Sequence, residues 1–540
     1  MNGNYEWVLK NGRYLAGDEL RQGEIAIENG RIAALGENLP GAQEVDLQGN
    51  IVLPSLIDGH IHLESAMVSP AEFARTVLPH GTGAVVADPH EIANVLGTKG
   101  LDYMLAATEG LPVDVYFMLP SCVPAAPGEE NGATLTAADL RPYLDHPRVL
   151  GLGEVMDVGS VVKGDPDMLQ KLGDAKAAGK RIDGHAPGVT GETLRAYAAA
   201  GVSSDHECTS LAEAREKLDA GMWIMIREGT AARNLEALAG LMAENPGRIM
   251  LVTDDKHPGD LMAGHLDANL RKAVALGADP VKTIALATAR PAEYFGLGHL
   301  GAIAPGREAS FLITSDLAEM EVMEVWKRGR KVYDRENGTL PFREPEIPAE
   351  LCQSAENTFH LAPLTPADFD MSAEPEGPVI GLVPGEITTR KLSAASKEAR
   401  NALAVVERHK NTGHIGRAWI AGYGLRRGAV ATTVAHDSHN LIVVGASPEE
   451  MALAAETVRK SGGGLAVVVG ERVLGHLALP VAGIMSRLSA AEVEARMEAL
   501  RRMARELGVS PGIDPFMTLA FVSLPVIPAL RLTCGGLVEC

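Results

Sequence analysis

From Tyr5 to Leu53, apolar and polar residues alternate in short runs (VLKNGRYL, GEIAIENGRIAAL, EVDLQGNIVL) divided by Asn-Gly, Gly-Asp and Gly-Asn pairs. Period-two alternation buries one face of a strand, and these dipeptides tolerate the positive φ of tight turns, so the stretch predicts hairpins. The same signature returns in GAIAPGREASFLITS and MEVWKRGRKVYD. Residues 1–53 and 300–345 are therefore expected to build one small flanking β-sandwich.

Between these flanks the rhythm changes. Short apolar runs (VLPSLIDGHIH, GAVVADPHE, VDVYFMLPS, VLGLGEVMD, RIDGHAPG, VSSDHE, WIMIREG, IMLVTDD) alternate with amphipathic stretches such as GDPDMLQKLGDAKAAGK and NLEALAGLMAENPGR. Eight strand-helix alternations over residues 54–299 predict an α/β fold, a TIM-like (β/α)8 barrel, whose chemistry belongs at the carboxyl ends of the strands. Nearly every run ends in His, Asp, Glu or Arg. Residues 346–374, rich in Pro and Glu with weak periodicity, read as a connection. Residues 375–540 carry three apolar strands (AVATTVA, NLIVVGA, GLAVVVG) and one well-marked helix, so an additional C-terminal α/β domain is expected. That helix should start with Ser447 as cap, Pro448 at its first position and Glu450 completing a capping box.

Composition narrows the function classes. With 49 Lys and Arg against 70 Asp and Glu, the net charge of −21 argues against a nucleic-acid partner, since phosphate binding needs clustered cations. The 46% hydrophobic content excludes a disordered chain. Five cysteines without CxxC spacing predict no disulfide framework and a reducing compartment, so a cytoplasmic protein. The amino terminus lacks the apolar core of a secretory signal, and the longest apolar stretch, near the carboxyl end, is broken by two prolines, so no membrane partner is expected. A homodimer is the default assembly for such an enzyme.

The sharpest chemical signal is His60-Ile61-His62, because residues i and i+2 of a strand face the same side and can reach one cation. Glu154, His185, His206 and Asp254 fall at the ends of the fourth, fifth, sixth and eighth runs. Four imidazoles and two carboxylates on one rim suit two divalent ions of borderline hardness. Asp88 and Glu91, in DPHE, are candidates for proton transfer, while Glu64, Glu207 and Asp255 are expected to support the ligands. Ser121, Arg227 and Glu228 are placed to contact a substrate at the ends of the third and seventh runs. For His436 and His439, in HDSHN, a further metal site and a structural or interfacial role both stay open.

LPSLIDGHIHLESAM resembles the first signature of the amidohydrolase superfamily, and ADPHEIANV, GLGEVMD, GHAPG, DHE, VTDD and HDSHN resemble its adenine deaminases over essentially the whole chain. Two departures are visible: Ser55 stands where a glycine is usual and Ala66 where a serine is. The resemblance implies hydrolysis of adenine to hypoxanthine and ammonia, a purine-salvage reaction, by hydroxide at a binuclear site of Mn²⁺ or Fe²⁺, with Zn²⁺ as an alternative. It implies that His60, His62 and Asp254 hold one ion, His185 and His206 the other, and that Glu154 bridges them where many relatives use a modified lysine. Asp254 would move the proton of the attacking water, and Glu91 or Asp88 would protonate the ring. Two competing readings are a cyclic amide hydrolase of the dihydroorotase or hydantoinase kind, which normally carries the lysine, and a non-catalytic scaffold, which would have lost ligands. A zinc deaminase of the cytidine type is set aside because it needs P-C-x-x-C.

Overall fold

The computed structural model describes residues 4–126, 128–244, 247–372 and 377–540. Residues 1–3 of the first β unit, 127 of the expected barrel, 245–246 at the end of one expected helix, 373–374 of the expected connection and 375–376 of the expected C-terminal domain lie outside the described residues.

Strands from both flanks of the barrel join in one nine-stranded sheet. Ile51–Pro54 pairs antiparallel with Phe311–Thr314, which ties the chain's start to residues some 250 positions later. The alternating positions read in the sequence now face a common core of Leu9, Ile25, Ile27, Phe311 and Trp326. Trp326 stacks on Phe311 at 5.6 Å.

The central region forms the barrel from eight short strands: Leu56–His62, Thr82–Ala87, Asp114–Pro120, Val149–Val155, Arg181–Gly184, Ser204–Asp205, Trp223–Arg227 and Ile249–Val252, the last continued by Asp254–Asp255. Neighbours run parallel, and Asp254–Asp255 pairs with Ile61 and His62 to close the circle. Between the fifth and sixth strands no ladder forms, and Ser203 N–H donating to Ile182 O at 2.8 Å bridges the gap. Strands covered by helices bury both faces, which is why they read as near-continuous apolar runs.

The remaining chain builds an eight-stranded sheet, antiparallel except where Val379–Leu382 runs alongside Ile415–Ala421. Its helix Pro448–Lys460 begins as the sequence predicts, with the Ser447 hydroxyl accepting from Glu450 N–H at 3.3 Å. The reciprocal half of the expected capping box is replaced. Glu450 instead accepts backbone N–H groups of Gly428 and Gly470, each at 2.8 Å, because two loops of the sheet approach the helix start. This unit docks on the barrel through Ser486 N–H to Met67 O at 2.8 Å and Ala490 N–H to Glu72 Oε1 at 3.0 Å. Among the described residues no helix is long and apolar enough to cross a membrane.

Candidate metal centre and active site

Five of the eight barrel strands deliver candidate ligands to the same rim. His60 and His62 end the first strand, Glu154 lies in the last turn of pleat of the fourth, His185 and His206 follow the fifth and sixth, and Asp254 opens the continuation of the eighth. Glu154 and Asp254 have φ of 28° and 61°, in the left-handed region that non-glycine residues rarely occupy. Such strain persists where the surroundings over-determine the backbone, and here it aims both carboxylates inward.

The two oxygens of Glu154 divide the histidines into pairs. Oε1 lies 3.2 Å from His60 Nε2 and 2.8 Å from His62 Nε2. Oε2 lies 3.0 Å from His185 Nδ1 and 4.0 Å from His206 Nε2. Asp254 Oδ1 joins the first pair, 3.3 Å from His60 and 3.1 Å from His62. Glu207 Oε1 approaches the second, 3.6 Å from His185 and 3.3 Å from His206.

This donor set fits divalent cations. His62 Nδ1 lies 2.9 Å from the Asp88 carbonyl, which as a pure acceptor fixes the proton there and turns a lone pair at Nε2 towards the carboxylates. Lone pairs that face one another repel unless a positive charge stands between them. His60 Nε2, Glu154 Oε1, His90 Nδ1 and both Asp88 carboxylate oxygens are buried without a hydrogen-bond partner, a costly arrangement that a cation relieves. The electrostatics agree. Burial pushes the His60 imidazole down, but Asp254 and Glu154 outweigh it and carry it up to about 10, a demand for positive charge. Burial also raises Glu154, yet His62 and His90 hold it well below the usual carboxylate range.

The centre lies at the floor of a cavity of about 480 Å³. Glu207, Arg227 and Asn234 of the barrel line it together with Ile387, Phe521, Leu524 and Ile527 of the C-terminal unit. Of the residues expected to contact substrate, Arg227 lines the cavity but is held by ion pairs, at 3.0 Å to Asp254 Oδ2 and through two contacts to Glu207. Ser121 and Glu228 are turned elsewhere. The Ser121 hydroxyl donates to Glu154 O at 2.8 Å, bracing the strained residue. Glu228 is engaged by Lys272 Nζ at 2.6 Å and Leu235 N–H at 3.2 Å, because its side chain points towards the outer helices. Glu64 lies beneath the rim and accepts Ile92 N–H at 3.2 Å; burial raises it to about 7. Asp255 accepts the Ser65 hydroxyl, and Asp88 and Glu91 are both buried beside the centre.

The carboxyl-terminal unit also reaches the rim. A family model described as the adenine deaminase C-terminal domain matches residues 384–540, and one described as the amidohydrolase family matches 51–332. The chain is 47% identical to adenine deaminase 2 of Carboxydothermus hydrogenoformans, covering 98% of this chain and 95% of that one. It is 44% identical to the adenine deaminase of Desulfatibacillum aliphaticivorans over 98% and 95% of the two chains. The chain belongs to the adenine deaminase family. Among solved structures, the zinc complex of atrazine chlorohydrolase from Arthrobacter aurescens superposes with a TM-score of 0.50 at 16% identity, covering 62% of this chain and 97% of that one, a likeness of fold. As an amidohydrolase, this member of the adenine deaminase family uses divalent metal ions, and its His, Glu and Asp cluster is the candidate place for them.

Several groups left without a role by the sequence, or with an open one in the case of His436, also line the cavity. His90 stands 3.6 Å from Asp88 Oδ1 and 3.8 Å from Glu154 Oε1. His436 and Asp437 join it from the C-terminal unit, as does the apolar wall. The HDSHN motif was the signal for His436 and Asp437, but nothing in its spacing tells which barrel residue it meets.

Proposed function

We propose that this chain hydrolyses adenine to hypoxanthine and ammonia with two divalent cations held by His60, His62 and Asp254 on one side and by His185 and His206 on the other, with Glu154 between them. The observation that carries the reading is the division of Glu154, one oxygen to each histidine pair. Bound there, two such cations supply a water acidic enough to attack near neutral pH. Mixed imidazole and carboxylate donors favour manganese or iron.

The chain's own residues do the rest. A flat heterocycle fits among the polar Arg227 and Asn234 and the apolar Phe521 and Ile527, which exclude bulk water. Asp254, held well below the usual carboxylate range by Arg227 and the two histidines against the push of burial, is ionised and able to take the proton of the attacking water and pass it to the departing amine. Glu91, which burial raises but His436, His439 and His90 hold well below the usual carboxylate range, takes up the proton released as the attacking water ionises and passes it to the ring nitrogen, so that no negative charge accumulates on the purine, and the Asp88 carbonyl orients His62. Arg227 sets Asp254 and Glu207 rather than reading the base directly. The five unpaired cysteines favour a reducing, cytoplasmic setting, and a homodimer acting in purine salvage completes the reading.

The test is ammonia release from adenine by manganese-loaded protein. Glu154→Gln weakens the bridge and is expected to lower kcat/KM at least about 100-fold together with bound metal. A loaded chain that does not turn over adenine overturns the reading, and near-normal rates in the variant overturn the ligand assignment.

A further inference from the structure

Glu91 is fully buried at the rim, and neither of its oxygens is met by a barrel residue alone. His439 Nε2 contacts Oε2, and His436 Nδ1 contacts Oε1, both from the C-terminal unit nearly 350 positions away. The ring of His439 has a set orientation: Nδ1 is seated against two backbone groups, Ala435 N–H at 3.2 Å and Thr433 O at 3.3 Å, which leaves Nε2 aimed at Glu91. His436 is held in a different way, its ring stacked on Phe521 at 4.7 Å with 13° between the planes and its backbone N–H donating to Ala520 O at 2.8 Å.

The loop that carries both histidines is itself braced. Arg408, fully buried and with no carboxylate paired to its guanidinium among the described residues, turns it to main-chain carbonyls: Nε donates to His439 O, Nη2 to Ala482 O at 2.8 Å and Nη1 to Thr358 O at 3.1 Å. The neighbouring His409 Nε2 donates to Ser438 O at 2.7 Å. Burying an arginine this way is expensive, and nothing in the chemistry of the centre uses its charge. Its geometric effect is to fix the backbone from which His439 reaches Glu91.

We propose that His436 and His439 are positioning residues for this reaction, gripping both oxygens of Glu91 so that the barrel's proton donor is set by the C-terminal unit, with Arg408 locking the gripping loop. The proposal rests on the reading of Glu91 as the group that protonates the substrate. Its consequence is that the barrel carries the metal ligands, whereas the proton-transfer geometry is completed only by the added unit.

The experiment compares full-length, metal-loaded wild type with His439→Ala, His439→Gln, Glu91→Ala and the double variant His439→Ala/Glu91→Ala. His439→Ala is expected to lower kcat about 10- to 100-fold, the usual effect of a group that orients a reacting one, with KM within about twofold and the same bound metal. His439→Gln, whose amide N–H reaches where Nε2–H was, recovers most of the rate and guards against a variant that fails to fold. The double variant is no slower than Glu91→Ala alone, since both changes remove one function. Wild-type kcat in His439→Ala, or losses that multiply in the double variant, overturns the proposal. A crystal structure of His439→Ala with Glu91 unmoved overturns it whatever the substrate, whereas a wild-type chain inert to adenine defeats the parent reading instead.

Discussion

At the scale of single residues, the centre depends on close approach as much as on ligand identity. Gly153, one residue before Glu154, faces Asp88 so closely that an added Cβ would lie 2.1 Å from Oδ2 and 2.9 Å from Met118 Cβ. The fourth strand therefore carries a glycine there for space. Gly153→Ala is expected to displace Asp88, costing about 1–3 kcal/mol by overpacking and lowering kcat/KM. Thermal melting with an adenine assay checks this, and an unaltered enzyme would mean that Asp88 swings aside freely. Ligand residue types at strand ends were legible from the sequence, because each of His60, His62, Glu154, His185, His206 and Asp254 terminates an apolar run. The left-handed backbone at Glu154 and Asp254 was not legible, since neither residue type advertises it. Ser121 and Glu228 show the limit from the other direction: both fall at strand ends, yet one braces Glu154 and the other pairs with Lys272.

At the scale of elements, helices fix the loops that bear ligands. The helix Leu211–Asp219 follows the sixth strand and sends Lys217 back beneath it, fully buried, to Asp205 Oδ2 at 2.9 Å, Glu213 Oε1 at 2.8 Å and Ala186 O at 2.6 Å. Asp205 in turn accepts Ala186 N–H at 2.8 Å, so the loops carrying His185 and His206 share one ionic anchor. Burial raises Asp205, but Lys217 and His206 hold it below its ordinary value. Lys217→Met leaves two buried carboxylates without their cation and is expected to cost about 3–5 kcal/mol, lowering Tm and metal affinity together. Retained Tm with retained metal would show that the anchor is dispensable. A lysine at a helical position reads as solvent-facing until the partners beneath it are known.

At the scale of the whole molecule, the centre concentrates buried charge that folding alone leaves poorly compensated. Orphaned atoms of His60, His90, Asp88, Glu154 and Asp437 gather between the barrel and the C-terminal unit. A cation bound only by the folded state stabilises it by about 4 kcal/mol at a concentration a thousandfold above its Kd. Chelator-stripped protein should therefore melt well below the reloaded enzyme, and differential scanning calorimetry with and without added Mn²⁺ checks this. Equal melting temperatures would mean that the cluster is satisfied by protons alone.

The sequence by itself determined the eight-strand rhythm, the hairpin flanks, the residue types at the rim and the family they resemble, because burial imposes periodicity and metal chemistry admits few side chains. Tertiary structure alone decided which oxygen of Glu154 meets which histidine pair, that Arg227 is consumed by Glu207 and Asp254, and that His436 and His439 reach Glu91. These are contacts between positions 20 to nearly 350 residues apart. Local pattern carries the period of an element and the face it buries, whereas partners across such separations are set by how whole elements pack, which no window of sequence contains.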